Sequence, residues 1–162
     1  MALNEKKTYQ NTLRKNTIVI IPCFNAGNRL NSAVENALAQ VNRVIVINDG
    51  STDGCMEAIT ELPVQVIAFP INRGKGHALI AGIRKALETE NVEVIALMDA
   101  DGQHDASELP GLYDNFQSEK ADLLIGARAF DRKQAPWRSR FGNKVTVWVM
   151  GVLCGRRLPD TQ

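Results

Sequence analysis

The sequence predicts an α/β protein, a Rossmann-like, mostly parallel sheet with helices on both faces. Three observations carry this prediction. Short β-branched runs recur along the chain, and the stretches between them space their apolar residues at helical intervals. The runs are apolar throughout rather than alternating, as strands covered on both faces are. Polar segments follow directly on four of the runs, at the strand ends where open parallel sheets bind ligands.

Residues 17–21 (TIVII) form the first predicted strand, which stops at Pro22. A loop with Asn25 and Gly27 leads into a helical pattern of Leu30, Val34, Ala37 and Leu38. Residues 44–47 (VIVI) are the second strand, closed by the turn-rich NDGSTDG of residues 48–54. Met56, Ile59 and Leu62 suit a short helix, and residues 64–69 are a third strand. Residues 72–76 (NRGKG) open a helix that presents Leu79, Ile83 and Leu87 on one face. A fourth strand over 92–98 runs into Asp99-Ala100-Asp101. Residues 105–119 read as a helix capped by Asp105 or Ser107, and 123–125 as a fifth strand that breaks at Gly126. Residues 136–158 turn helical in their later part, and Pro159 ends them.

Length and composition fit one globular domain: 162 residues, 44% apolar and 23% charged. The first sixteen residues form a polar extension to a domain over 17–162. That extension lacks the apolar core of a secretory signal. The longest apolar run, 145–154, is interrupted by Thr146 and Gly151 and is shorter than the ~20 residues a membrane span needs. Three cysteines without metal spacing argue for a reducing, cytoplasmic setting. A net charge of +1 makes no case for nucleic acid. The local distribution differs, since Arg128, Arg132, Lys133, Arg138, Arg140, Lys144, Arg156 and Arg157 face a single acid, Asp131, in their stretch. Beside the apolar residues from Val145 to Leu153, these cations suit a helix lying in a membrane interface; a solvated face and a core helix fit as well.

Asp99 and Asp101 are the strongest chemical signal. Two carboxylates at i and i+2, just past a buried strand, can turn toward one ligand, and two such charges call for a cation. Oxygen ligands alone favour Mg²⁺ or Mn²⁺. A solvated turn with one Asp as helix cap gives the same pattern, and the pair by itself leaves both open. Asp49 can either accept hydrogen bonds from a ligand or cap the next helix. Arg73 and Lys75 place cations where a helix dipole disfavours them, which points to a nearby anion or to an exposed lysine. The segment is no P-loop, because the second Gly spacing and the Ser/Thr after Lys are missing. His77 and His104 have no metal spacing, and no nucleophile–base set can be placed.

In combination, IVIIPCFNAGNRL (18–30), VIVINDGSTDG (44–54), NRGKGHAL (72–79), ALMDADGQHDASELP (96–110), ADLLIGAR (121–128) and PDTQ (159–162) resemble glycosyltransferase family 2, of GT-A fold. The resemblance is nearest to the branch that transfers sugars to polyprenyl or dolichyl phosphate. It implies an inverting, metal-dependent hexosyltransferase that takes a UDP- or GDP-sugar donor and a polyprenyl phosphate acceptor at the inner face of the cytoplasmic membrane. Pro22, Phe24, Ile47 and Asp49 would line the base and ribose. Asp99, Ala100, Asp101 and Gln103 would hold the diphosphate, with Asp99 and Asp101 on the Mg²⁺ or Mn²⁺. Arg128, Arg138 and Arg140 would face the donor and acceptor phosphates, and Asp160 the reacting sugar carbon. A family member that binds donor without turnover, or that uses a saccharide acceptor, fits the same motifs. Departures are Ala26 where the family usually has Glu, Asn48 where it often has Asp, and Phe24 in place of Tyr. The family domain continues past PDTQ, so its C-terminal part is expected to be missing here.

Overall fold

The computed structural model describes residues 11–126. The chain divides into two compact units, 1–120 and 121–162. All the strands and helices of the described residues belong to the first unit. After a helical stretch at 11–16 they run β1 (Thr17–Cys23), α1 (Arg29–Gln40), β2 (Arg43–Asp49), a 3-10 turn at Glu57–Ile59, β3 (Gln65–Phe69), α2 (Lys75–Leu87), β4 (Val94–Leu97), a 3-10 turn at Ala106–Glu108 and α3 (Leu109–Ser118).

The four strands form one sheet in the order β3-β2-β1-β4, every pairing parallel. The central β1 shows why its sequence is apolar without alternation. Val19, Ile21 and Cys23 join Leu30, Ala33, Val34 and Ala37 of α1 in one cluster, which also takes in Tyr113 of α3. Ile18 and Ile20 join Ala78 and Ala86 of α2 in the other. Both faces are therefore covered, and every β1 side chain except Pro22 is buried.

Pro22 lies inside β1, opposite Ile47, rather than ending the strand. In a parallel strand successive residues bond alternately to the two neighbours. Ile20 C=O accepts from Met98 N–H on the β4 side, at 3.0 Å. Position 22 points to that same side, beyond the β4 ladder, which ends at Leu97. The missing N–H of proline costs no ladder bond there.

On α1 the buried residues Leu30, Ala33, Val34 and Ala37 follow the expected spacing. On α2 they do not. The helix buries Ala78, Gly82 and Ala86, while Leu87 is exposed. The packed stripe is the small-residue one because the helix lies close on the sheet: a Cβ at Gly82 would come within 2.5 Å of Ile20 Cγ2. Larger residues are left to the flanks.

The chain before β1 is more than a polar extension. Residues 11–16 are helical, and Leu13 is buried in the core. The Arg14 guanidinium donates to Ala39 C=O at 2.9 Å and to Leu38 C=O at 3.4 Å, so it caps the C-terminal end of α1. The third and fourth strands are shorter than expected. Residues 123–125 form no strand; Leu123 and Ile125 are exposed. Asp105 caps as expected, its side chain accepting from Ser107 N–H at 2.9 Å, though on the 3-10 turn that precedes α3.

From β1 the chain moves outward to β2 and β3, then α2 returns it to β4 on the other side of β1. The direction reverses between β1 and β4. In an open sheet of this kind a crevice forms outside the strand ends at that point.

Candidate functional site

The crevice is present. A cavity of about 340 Å³ lies at the C-terminal ends of β1 and β4, walled by the end of β2 and by the segments after β1, β3 and β4. Pro22, Phe24, Asp49, Asp99, Ala100 and Asp101, all candidates from the sequence, line it.

The loops after β1 and β2 hold each other. Asn25 N–H donates to Ser51 Oγ at 3.1 Å, and Thr52 N–H donates to Asn25 Oδ1 at 2.8 Å. Asp53 bridges both loops, accepting Gly27 N–H at 2.8 Å and Cys55 N–H at 3.2 Å. Its carboxyl lies below the usual carboxylate range, chiefly through the Cys55 side-chain hydrogen bond and next through the backbone N–H groups. Ser51 N–H closes the turn on Asn48 Oδ1 at 2.8 Å. Asn25 supports this with a left-handed φ of 50°, a conformation that asparagine tolerates. Cys23 and Cys55 are buried with sulfurs 3.5 Å apart. Burial, with the Cys55 thiol against it, pushes the Cys23 thiol up to about 12. NDGSTDG therefore works largely as a bracket for the segment after β1.

Asp49 has a related task. It is 2% exposed, and its two oxygens accept Arg73 N–H at 2.7 Å and Gly74 N–H at 2.9 Å. Gly50 permits this approach. Its φ is 74°, and a Cβ there would lie 2.6 Å from Asn72 N. Asp49 thus lines the cavity while clamping the 72–74 loop, a role with no signal in the sequence. Arg73, directed away by that loop, stacks over Phe69 at 5.4 Å from the ring centroid.

Two other candidate residues lie outside the lining. Ile47 is fully buried, packed in the cluster with Ala78 and Ala86, and it does not line the cavity. Strand alternation accounts for this: Val44 and Val46 share one face of β2, Ile45 and Ile47 the other, which meets α2. Gln103 is exposed and likewise outside the lining; its N–H closes a turn on Asp101 Oδ1 at 2.8 Å. Arg128, Arg138, Arg140 and Asp160 lie outside the described residues.

Phe24, 51% exposed, offers a flat apolar surface on the cavity wall. Arg29, Asn72, Lys75 and Ala78 line it too. Of these only Lys75 had a sequence signal, its cation at a helix start. The Lys75 ammonium lies 2.6 Å from Asp99 Oδ1. The Asp99 N–H in turn donates to His104 Nδ1 at 3.1 Å, so the histidine acts on the backbone of the acidic turn.

The chemistry of Asp99 and Asp101 fits a small divalent ion shared with a phosphate. Among the described residues no three His, Cys, Asp or Glu side chains gather as a cage. Mg²⁺ and Mn²⁺ sites of the phosphate-bridging kind need only one or two carboxylates, with water and ligand oxygens completing the shell.

A parallel α/β sheet with paired carboxylates, an aromatic ring and a lysine around its switch-point crevice belongs to the class of open α/β folds that bind ligands at that crevice. Comparison with known proteins narrows the class. Residues 18–149 match the model of glycosyl transferase family 2, and the chain belongs to that family. An uncharacterised protein of Methanocaldococcus jannaschii is 30% identical over 100% of this chain and 69% of its own. The polyprenol monophosphomannose synthase of Mycolicibacterium smegmatis is 34% identical over 84% of this chain and 56% of its own. The UDP-N-acetylglucosamine–dolichyl-phosphate N-acetylglucosaminyltransferase of Methanococcus voltae is 24% identical over 89% and 65%. The chain thus spans between about half and two thirds of the length of these relatives.

Proposed function

We propose that the protein is a metal-dependent, inverting hexosyltransferase that moves a sugar from a nucleoside diphosphate to a polyprenyl phosphate. The single observation that carries this reading is the convergence of Asp99 and Asp101 with Phe24 and Lys75 on the cavity at the β1/β4 switch point. The names of the Mycolicibacterium and Methanococcus relatives support the acceptor class, and the second supports a UDP-linked donor.

Substitution at the anomeric carbon builds charge on a departing diphosphate. Asp99 and Asp101 would hold Mg²⁺ or Mn²⁺, which supplies Lewis-acid stabilisation of that charge when bound. Phe24 offers a stacking face for the base, and the paired loops after β1 and β2 fix that wall in advance. Lys75 adds a cation on the phosphate side. A lipid phosphate brings an oxygen that is already anionic, so the chain needs no strong general base. Attack opposite the leaving group inverts the anomeric centre. The acceptor places the reaction at a membrane surface. Among the described residues no helix is long and apolar enough to cross a membrane. Arg138 and Arg140 are assigned to that surface and to the acceptor phosphate, Arg128 to the donor, and Asp160 to the sugar carbon.

The test incubates the full chain with UDP- and GDP-hexoses, Mn²⁺ and polyprenyl phosphate, and follows the lipid product by mass spectrometry and its anomeric configuration by NMR. Glycosyl lipid of inverted configuration, lost in Asp101→Ala, is the expected result. Transfer to saccharides alone would overturn the acceptor assignment. Transfer that survives both chelator and Asp101→Ala would overturn the metal.

A further inference from the structure

We propose that Lys75 is a resident counter-ion of Asp99 that changes partner when a nucleoside diphosphate binds, so that divalent-ion binding becomes conditional on the donor. This rests on the reading of Asp99 and Asp101 as metal ligands.

The ion pair is the starting observation: Lys75 Nζ lies 2.6 Å from Asp99 Oδ1, and both residues line the cavity. Lys75 is the first residue of α2, whose first turn carries no acid. A cation there opposes the helix dipole, so an anion across the cavity is what makes the position tolerable. The two partners differ in freedom. The lysine side chain is 60% exposed on a flexible stem, whereas Asp99 is 33% exposed and its backbone N–H is held by His104. When the pair separates, the lysine is therefore the partner that moves. An ammonium is a point charge without angular demands, and it transfers from a carboxylate to a phosphate without loss of geometry.

A divalent ion approaching Asp99 meets a positive charge already seated on Oδ1. Bound alone, it must displace that charge or share the carboxylate with it. A diphosphate changes both terms: it offers Lys75 a new anionic partner and supplies the ion with further oxygens. Each ligand then removes an obstacle to the other, and the coupling is reciprocal. A transferase built this way leaves its acidic pair neutralised between turnovers and assembles the charged site only around the donor.

Lys75→Met keeps the length of the stem and removes the charge. Mn²⁺ binding to the full chain without nucleotide is read by electron paramagnetic resonance, and UDP and GDP binding without metal by calorimetry. Removing one cation from an exposed pair should tighten Mn²⁺ binding roughly three- to tenfold and weaken nucleotide binding on the same order. The shifts are opposite in sign, which a general loosening of the site would not produce. Lys75→Arg, which keeps the charge, should restore the wild-type direction of both. Any other pattern from Lys75→Met, with both constants weakened or neither moved, overturns the proposal. Asp101→Asn separates the two levels. If it abolishes Mn²⁺ binding while Lys75→Met shows no opposed shift, only the partner exchange falls. If Mn²⁺ binding survives Asp101→Asn, the metal assignment falls and the exchange with it.

Discussion

Replacing Asp49 by Asn tests whether one buried carboxylate holds the wall of the cavity. Asn is nearly isosteric, but only one of its terminal atoms accepts. The shorter bond, to Arg73 N–H at 2.7 Å, is the one that an oxygen would keep. The amide nitrogen would then face Gly74 N–H, donor against donor. Hydrogen bonds to a charged group contribute about 1.5–3 kcal/mol. The loss falls in the lower part of that range, because Gly74 N–H also reaches Asn72 Oδ1 at 3.0 Å. Asp49→Asn should therefore cost about 2 kcal/mol, and Asp49→Ala, which orphans Arg73 N–H and leaves a void, about 3–4 kcal/mol. With a urea m-value of about 2 kcal/mol/M, the Asn variant should melt about 1 M earlier. Asn72→Ala alone should cost under about 1 kcal/mol, since Asp49 still serves Gly74. The double variant should lose more than the sum, by about 1 kcal/mol, because Gly74 N–H then has neither acceptor. Urea melts followed by circular dichroism give all four values. A cost below about 0.5 kcal/mol for Asp49→Asn, or strict additivity with Asn72→Ala, would refute the clamp.

Other expectations follow from the packing. Gly82→Ala should destabilise by about 1 kcal/mol in thermal melts: the overlap with Ile20 costs about 1–3 kcal/mol and the helix-propensity gain returns about 1. A raised melting temperature would show that α2 sits further from the sheet. Arg14→Ala should cost about 1 kcal/mol in urea melts, through the exposed carbonyl ends of α1; no change would remove residues 11–16 from the stabilised fold. The carboxyls of Asp53 and Asp105 both lie below their ordinary value in the folded chain. Depressed groups contribute stability that is present above the unfolded value, about 3.9, and lost as pH falls through the folded one. Acid titration of wild type beside Asp53→Asn should show the wild type losing its advantage below about pH 4. A parallel pair of curves would contradict the bridge at Asp53.

The strands were legible because β-branched blocks such as TIVII and VIVI admit few other structures, and their unbroken apolarity announced a sheet covered on both faces. Strand order is different. Nothing in the local pattern says that the chain returns to the far side of β1 at β4, although that return creates the crevice. The buried face of α2 misled for a physical reason: hydrophobicity favours Leu79, Ile83 and Leu87, but close approach to Ile20 selects Ala78, Gly82 and Ala86. A single apolar residue, Leu13, was too weak a signal for the helix before β1. Of the candidate site residues, those placed next to a strand end, Pro22, Phe24, Asp99 and Asp101, reach the cavity lining. Ile47 faces α2 because alternation decides which face a strand residue takes, and the run VIVI carries no polar mark to set its phase. The clamp of Asp49 on residues 73 and 74, and the pairing of Lys75 with Asp99, join segments remote in sequence, and only folding brings them together.

The walls of the cavity are not equally held, and the difference bears on how a ligand would be met. The side formed by the loops after β1 and β2 is cross-linked by three bonds between Asn25, Gly27, Ser51, Thr52 and Asp53 and by the sulfur contact of Cys23 with Cys55. The 72–74 loop is fixed from below by Asp49. Among the described residues, the turn carrying Asp99 and Asp101 is held by Met98 N–H on Ile20, His104 on the Asp99 backbone, Gln103 N–H on Asp101 Oδ1 and an ion pair to an exposed lysine. A fixed wall beside Phe24 suits recognition of a flat, rigid group, where preorganisation saves ordering entropy. An acidic turn held in part by an ion pair to an exposed lysine suits the part of a ligand whose charge must be compensated on arrival. Donor binding should therefore change the environment of 99–104 far more than that of 48–55, and the energetic coupling between ion and diphosphate should be concentrated at the contact of Lys75 with Asp99.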